Sequence, residues 1–283
     1  MPDLHAYCER IGFRDTPRPD LDTLHELHRC HLLAIPYENL DVQLGVPVSL
    51  DIEAIYRKLV LNGRGGWCYE MNGLLAWALE KVGFSVTRTA AGVMREMRGD
   101  VAVGNHLALW VHGAAGRAAF DEPYLADVGF GDGTFEPIAV RAGPFHQRGL
   151  EFALERLDAD WWRFHNHPHG AARSFDFNTR PADTALLRRQ CQFLQTSPES
   201  PFTQVAVVQR HVPDGLALLR GRVLTRVGPV GVEKWEIADE DDYFTVLREV
   251  FALDLLRSDL LWQKVQHQHA AYLERLRPLA AAS

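Results

Sequence analysis

The sequence predicts an α+β fold in three successive parts: helices, then an antiparallel sheet or barrel, then a mixed end of strands and helices. Two observations carry this. Apolar residues recur at helical spacing through the first part of the chain, as far as Gly83. From Phe84 the period falls to two, in a series of short strands separated by turn residues, and helical spacing returns for good only near Tyr243. Helices first and strands afterwards is the α+β order.

The elements follow in turn. Leu4, Tyr7, Cys8 and Ile11 fall on one helical stripe, and Leu21, Leu24 and Leu27 on another, with Asp20 placed to cap its first turn. IPYENLD and the following LGVP read as a loop, punctuated by Pro36, Asn39, Gly45 and Pro47. Asp51 caps a third helix with Ile52, Ile55, Tyr56 and Leu59 on one side, which Asn62-Gly63 and Gly65-Gly66 stop. A fourth starts near Trp67 and runs to Gly83. It is apolar almost all round, so it is buried.

Strands are then expected in FSVTRTAAGVM, NHLALWVH, YLADVGF, EPIAV, LEFALERL and WWRFHN. A helix from about Ala182 to Gln195 interrupts them, with Leu186, Gln190 and Phe193 on one side. QVAVVQRHV, LALLRG, VLTRV and VEKWEI follow as strands, the first two joined by a Pro213-Asp214-Gly215 turn. Two last stripes, Tyr243–Val250 and Leu261, Val265, Tyr272 and Leu276, close the chain as helices.

Composition excludes more than it selects. A chain of 283 residues, 47% hydrophobic and 24% charged, has the makings of an ordinary folded soluble protein. Its net charge of -7 provides no overall basic field for nucleic acid or an anionic membrane. No apolar run is long enough to span a bilayer, and Asp3 and Glu9 stand where a secretory leader would be basic and then apolar. Four dispersed cysteines without CxxC spacing argue against a disulfide framework and for a reducing cytoplasm. A homo-oligomer is compatible with the sequence.

Chemistry concentrates at Arg64-Gly65-Gly66-Trp67-Cys68-Tyr69-Glu70-Met71-Asn72. Two glycines permit a close backbone approach just before a helix begins. A cysteine in that first turn sits at the positive end of the helix dipole, beside unpaired N–H groups, and both favour the thiolate. Taken alone, Cys68 reads equally well as a small buried hydrophobe. Arg64, Glu70 and Asn72 around it tip the reading, because buried polar groups need partners. Arg64 and Glu70 are expected to pair with each other as structural support.

A cysteine nucleophile needs a base, and the base an orienting group. Of thirteen histidines, His106 is the best placed, at the head of the apolar strand NHLALWVH. His112, at that strand's other end, reads as an exposed turn residue. Asp127 lies in the next strand, between Leu125 and Val128, where an acid is costly without a charged partner. The strands are joined through GAAGRAAFDEP, and pairing them antiparallel brings Asp127 close to His106. Each of the three alone fits a satisfied core group; together they favour a triad.

RGGWCYEMN resembles the RGGxCxExN signature of the arylamine N-acetyltransferase family. The resemblance extends to IPYENLD with LGVPVSLD, NHLALWV, YLADVGFG and TSPESPFTQ, in family order from Leu21 to Gln204. Tyr37 departs from it, standing where the family usually has phenylalanine. The resemblance implies a Cys68-His106-Asp127 triad and three parts: a helical bundle at 1–83 carrying the nucleophile, a β-barrel at 84–200 carrying His and Asp, and an α/β lid at 201–283. It implies acetyl-CoA as co-substrate, aromatic amines or hydrazines as acceptors, and no metal. It places Phe130 and Tyr37 in the amine pocket and Phe202 near the pantetheine arm. The rival activity is a transglutaminase-like cysteine amidase or protease using the same cysteine-protease-like core.

Other segments promise less. His165, His167 and His169 lack a fourth ligand and read as a surface loop. GFGDG, Gly129 to Gly133, is no phosphate loop, and its glycines are expected to let the backbone pass close to a ligand or to the thiol. His267 and His269 read as solvated on the last helix. Asp239-Glu240-Asp241-Asp242 reads as a helix N-terminus, where negative charge is favoured.

Overall fold

Asp20 and Asp51 open helices of the first part, as their positions before apolar stripes anticipate. In the computed structural model, which describes residues 1–113, 120, 122–229, 231–256 and 258–280, with side chains as far as Glu274, Asp3 caps α1 (Leu4–Ile11). Asp20 accepts the Thr23 N–H at 2.9 Å to start α2 (Leu21–Ala34).

The stretch expected as a loop is ordered further, into strand β1 (Tyr37–Glu38) and helix α3 (Leu40–Leu44). The reason is distant in sequence: β1 exists only because a later strand pairs with it. Asp51 then caps α4 (Ile52–Tyr56), which runs into a π-helical turn at Arg57–Leu61. Helix α5 spans Cys68–Val82, with Cys68 as its first residue.

Eight strands make the second part, interrupted by a short helix α6 (Arg95–Arg98): β2 (Ser85–Val93), β3 (His106–His112), β4 (Tyr124–Ala126), β5 (Ile138–Ala139), β6 (Gly143–Gln147), β7 (Leu150–Arg156), β8 (Trp161–His165) and β9 (Ser174–Asn178). They pair antiparallel in the order β5-β4-β3-β2-β9-β8-β7-β6. β6 and β9 went unread in the sequence. β9 buries four residues in succession, Ser174–Phe177, so it has no alternation to show. Residues 114–119 and 121, within the connection between β3 and β4, lie outside the described residues.

Helix α7 (Thr184–Thr196) turns a different face inward from the expected one. Leu187, Cys191 and Leu194 are buried, whereas Phe193 is 45% exposed. The two stripes have the same 4-3 spacing shifted by one residue, so periodicity alone cannot choose between them. Leu186 and Gln190 flank the buried stripe against Gly104, where an added Cβ would lie 3.0 and 3.2 Å from them.

After α8 (Pro201–Gln204), strands β10 (Val207–Val212), β11 (Gly215–Arg220), β12 (Val223–Gly228) and β13 (Gly231–Glu236) form a second antiparallel sheet, ordered β1-β10-β11-β12-β13. Helices α9 (Glu240–Glu249) and α10 (Asp259–Ala280) follow, and Tyr243, Leu247, Phe251, Leu261 and Val265 pack on Val208, Ala217 and Leu219. Asp239 caps α9, as the acidic run implied. His269 is buried, with Nε2 3.1 Å from Glu236, which corrects its reading as solvated. Its carboxylate comes from β13, a contact the helix pattern cannot contain. Leu276 lies beyond the described side chains.

The pairing of β1 with β10, Tyr37 opposite Gln209, is what positions the site. Tyr37 also bridges to Gly66, so one residue touches both the second sheet and the segment that leads into α5.

Candidate active site

The two glycines before Cys68 are dictated by space. A Cβ on Gly65 would lie 2.3 Å from the Pro36 carbonyl oxygen, and one on Gly66 would lie 2.7 Å from Glu70 Oε2. Only glycine lets the chain pass there. Glu70 turns back to accept the Trp67 N–H at 3.2 Å, satisfying one open donor at the head of α5.

Arg64 and Glu70, however, do not pair with each other. Arg64 donates to Glu38 and Asp41, each at 2.8 Å, while both oxygens of Glu70 accept from Lys58 at 2.9 Å. Lys58 also reaches Asp41 at 2.8 Å, so the two are linked through partners that lie outside the motif. Burial pushes the Glu70 carboxyl up to about 7, against the pull of Lys58 and with a push from Glu38 and Asp41.

Cys68 is 2% exposed, its Sγ 3.9 Å from the Asn105 carbonyl oxygen. His106, the first residue of β3, is equally buried, and its Nε2 lies 2.6 Å from Asp127 Oδ2. Asp127 sits one residue past β4 rather than inside it. The antiparallel register, Leu109 opposite Ala126, still brings it to His106 as expected. Its other oxygen accepts from Asn72 Nδ2 at 2.7 Å and Gly129 N–H at 2.9 Å. Asn72 lies one turn from Cys68 on the same face of α5, so this helix places both the thiol and a donor to the acid.

Burial alone would lower the His106 pKa. The Asp127 carboxylate, its hydrogen bond and a hydrogen bond with Cys68 outweigh it and raise the ring to about 10. Burial likewise works against ionised Asp127, but His106, Asn72 and Gly129 N–H hold it below the usual carboxylate range. Both shifts favour the imidazolium and the carboxylate, and the nitrogen not engaged by Asp127, Nδ1, is the one left for Cys68.

A cavity of about 410 Å³ opens on this array, lined by Tyr37, Cys68, His106, Gly129, Phe130 and Phe202 among others. That is room for a small aromatic ligand. The Phe130 ring stands edge-on to His106 at 5.7 Å, and Phe202 edge-on to Trp67 at 5.1 Å. Gly129 passes so close to the head of α5 that a Cβ there would lie 2.7 Å from Cys68 Cα. The close approach at this glycine is to the Cys68 backbone and the Asn72 amide.

The family model described as N-acetyltransferase matches residues 20–260. Arylamine N-acetyltransferase of Mycolicibacterium smegmatis is 36% identical over 96% of this chain and 98% of its own. The chain belongs to the arylamine N-acetyltransferase family. Human arylamine N-acetyltransferase 1 is 28% identical, covering 90% of this chain and 95% of its own. Among solved structures, Mycobacterium marinum arylamine N-acetyltransferase superposes with a TM-score of 0.83 at 31% identity, over 93% of this chain and 98% of that one. The same enzyme in complex with CoA also gives 0.83, at 30% identity over the same shares. As a family member the chain is an N-acetyltransferase, an acyltransferase of mixed helices and antiparallel sheets.

This family member also holds residues that the motifs leave out. His167 is buried, with Nε2 3.0 Å from the Asp132 carbonyl oxygen, so its loop is only partly at the surface. The loop folds inward because Asp132 gathers it, accepting from Ala171 N–H at 2.6 Å and Asn166 Nδ2 at 3.2 Å. Among the described residues no group of three or more His, Cys, Asp or Glu could hold a metal ion. None of the described helices is long and apolar enough to cross a membrane. His28, unnoticed in the sequence, accepts the Asp127 N–H on Nε2 at 3.2 Å. A signal was present: position 28 continues the Leu21-Leu24 stripe, where a histidine breaks an apolar row.

Proposed function

We propose that this family member moves the acetyl group of acetyl-CoA to arylamines, arylhydrazines or N-hydroxyarylamines through an acetyl-Cys68 intermediate, with Cys68, His106 and Asp127 as its catalytic triad. The observation that carries the reading is the Cys68–His106–Asp127 array opening on one cavity. The Cys68 thiolate attacks the thioester carbonyl. Collapse of the tetrahedral intermediate expels the CoA thiolate, which takes a proton from the His106 imidazolium. Backbone N–H groups at the head of α5 would stabilise the developing oxyanion. The amine then attacks the acetyl-cysteine, the now neutral His106 accepts its proton, and the amide leaves with Cys68 restored as thiolate.

Arylamines suit such a cavity because they are uncharged near neutral pH and enter without shedding a charge's hydration. Tyr37, Gly129 and Phe130 form the acceptor wall in this reading, and Phe202 flanks the pantetheine arm. A second cavity of about 430 Å³, with Arg220 and Lys234 in its lining, shares Val205, Val207 and Gln209 with the first. It offers a cationic berth for the phosphate end of CoA. Residues 1–83, 84–200 and 201–283 are then bundle, barrel and lid, and Arg64 and Glu70 are structural support.

Intact-mass analysis after incubation with acetyl-CoA alone tests this. One acetyl group on Cys68, discharged by an added aniline, is expected. Absence of the adduct from the folded enzyme, or its survival on Cys68→Ala, overturns the reading.

A further inference from the structure

His28 lies in α2, outside every motif that points to the chemistry, and is wholly buried. Its Nδ1 is 3.0 Å from the Phe135 carbonyl oxygen, and its Nε2 receives the Asp127 N–H at 3.2 Å. A carbonyl can only accept and a backbone N–H can only donate. The two contacts therefore fix one tautomer, neutral with the proton on Nδ1. Burial favours the same state, lowering the ring to about 4. His25 adds to this, and the Phe135 carbonyl, Asp127 and Glu136 oppose it.

What the ring joins gives it a role. Asp127 and Phe135 are the two ends of a nine-residue loop, counted 127 to 135, that also carries Gly129 and Phe130. The ladder between β3 and β4 ends at Ala126, so sheet pairing no longer holds the backbone at Asp127. Asp127 must nevertheless aim its two oxygens at His106, Asn72 and Gly129 N–H at once. That aim is sensitive to small movements of the peptide.

We propose that His28 is a positioning residue: as the neutral Nδ1–H tautomer it clamps both ends of the 127–135 loop, holding Asp127 on His106 and Phe130 on the cavity wall. The proposal rests on the triad reading above. It makes α2 part of the catalytic apparatus, and it accounts for a buried histidine that touches neither substrate nor thiol.

The test compares His28→Leu, which can make neither bond, with His28→Gln, whose amide can accept from Asp127 N–H and donate to Phe135 O. Single-turnover acetylation of Cys68 by acetyl-CoA is followed across pH, with folding checked by circular dichroism. His28→Leu is expected to acetylate about 10- to 100-fold more slowly, since small misplacements in a catalytic array have effects of that order. Its KM for acetyl-CoA stays within about twofold, because no ground-state contact is removed. The alkaline limb of its profile moves to lower pH as His106 loses part of its carboxylate support, and His28→Gln recovers most of the rate and the limb. If His28→Leu does not fold, His28→Asn, too short to reach both partners, takes its place. A folded His28→Leu with the wild-type rate and limb overturns the proposal, as do equal losses in the Leu and Gln variants with an unmoved limb. Asp127→Asn is measured alongside. If it too leaves the limb in place, the triad reading fails; if it alone moves the limb, only the clamp fails.

Discussion

Two buried polar clusters flank the same short stretch, Arg64 to Asn72, and they are built from similar parts. On one side Lys58 and Arg64 meet Glu38, Asp41 and Glu70 at 2.8–2.9 Å. On the other, His106 and Asn72 meet Asp127 at 2.6–2.7 Å. What differs is access. None of the five residues of the first cluster lines the thiol cavity, whereas Cys68 and His106 both do. The first cluster spends its charges on one another and fastens β1, α3 and α5 together. The second sets the Cys68 sulfur and the His106 ring, hydrogen-bonded to each other, on the wall of a cavity. Buried charge marks a catalytic centre only where part of it remains uncommitted toward a cavity.

The largest expected effects separate the two clusters cleanly. Cys68→Ser should lower turnover by about 10³-fold or more, with stability changed by less than about 1 kcal/mol. Lys58→Met should do the reverse. It strands Glu70 and part of Asp41 in the interior, so stability should fall by about 3 kcal/mol, while the fraction that remains folded acetylates at the normal rate. Urea unfolding and single-turnover acetylation measure the two axes. A Lys58→Met enzyme of wild-type stability but lost rate would erase the distinction.

A smaller effect is expected within the proposed catalytic cluster from Asp127→Asn, which keeps the shape and removes the charge. In the native enzyme the raised His106 contributes stability that is full below its ordinary pKa of about 6.5 and is lost as pH rises through about 10. Lowered Asp127 contributes stability that is present above its ordinary pKa and lost as the solution is acidified. Between these limits the pair is worth most. Asp127→Asn should therefore destabilise most from about pH 4 to 6.5, by about 2 kcal/mol, and progressively less as pH rises toward 10. Thermal melts across that range measure it. A uniform loss at every pH would make Asp127 a packing residue.

The proposed catalytic cluster was far more legible in the sequence than its neighbour. Cys68, Asn72 and the paired glycines sit within one turn of a helix start, where spacing and capping rules act locally. His106 and Asp127 lie near facing ends of two strands joined by a short connection. The closed cluster draws Lys58 from the turn before α5 and Glu38 and Asp41 from a segment read as a loop, so Arg64 and Glu70 were paired with each other for want of visible partners. Strand β1 failed for the same reason, because Tyr37 and Glu38 become a strand only when Val208 and Gln209 arrive. The inward face of α7 was missed by one residue, since only packing against Leu107 and Tyr69, not periodicity, selects Leu187 and Cys191. His28 showed only as a histidine breaking an apolar row; its role stayed hidden because its partners are backbone groups, which leave no signature in side-chain patterns.

The smallest expected effect belongs to Tyr37, the residue that joins the two clusters. Its neighbour Glu38 pairs with Arg64, while Tyr37 itself lines the thiol cavity. Burial, and then the charges of Cys68, Asp132 and Asp127, raise its phenol well above its ordinary range, so it stays neutral at any working pH. A neutral hydroxyl on an aromatic wall adds a hydrogen-bonding group without a charge. Tyr37→Phe retains the ring and the backbone pairing with Gln209, so the fold should be unchanged. Net hydrogen bonds are worth about 0.5–1.5 kcal/mol. Acceptors with a polar ring substituent should therefore lose roughly 2- to 10-fold in kcat/KM, while plain anilines keep their rate. Equal loss across both acceptor types would mean that the hydroxyl serves the triad rather than the substrate, and the line between wall and catalytic cluster would have to include Tyr37.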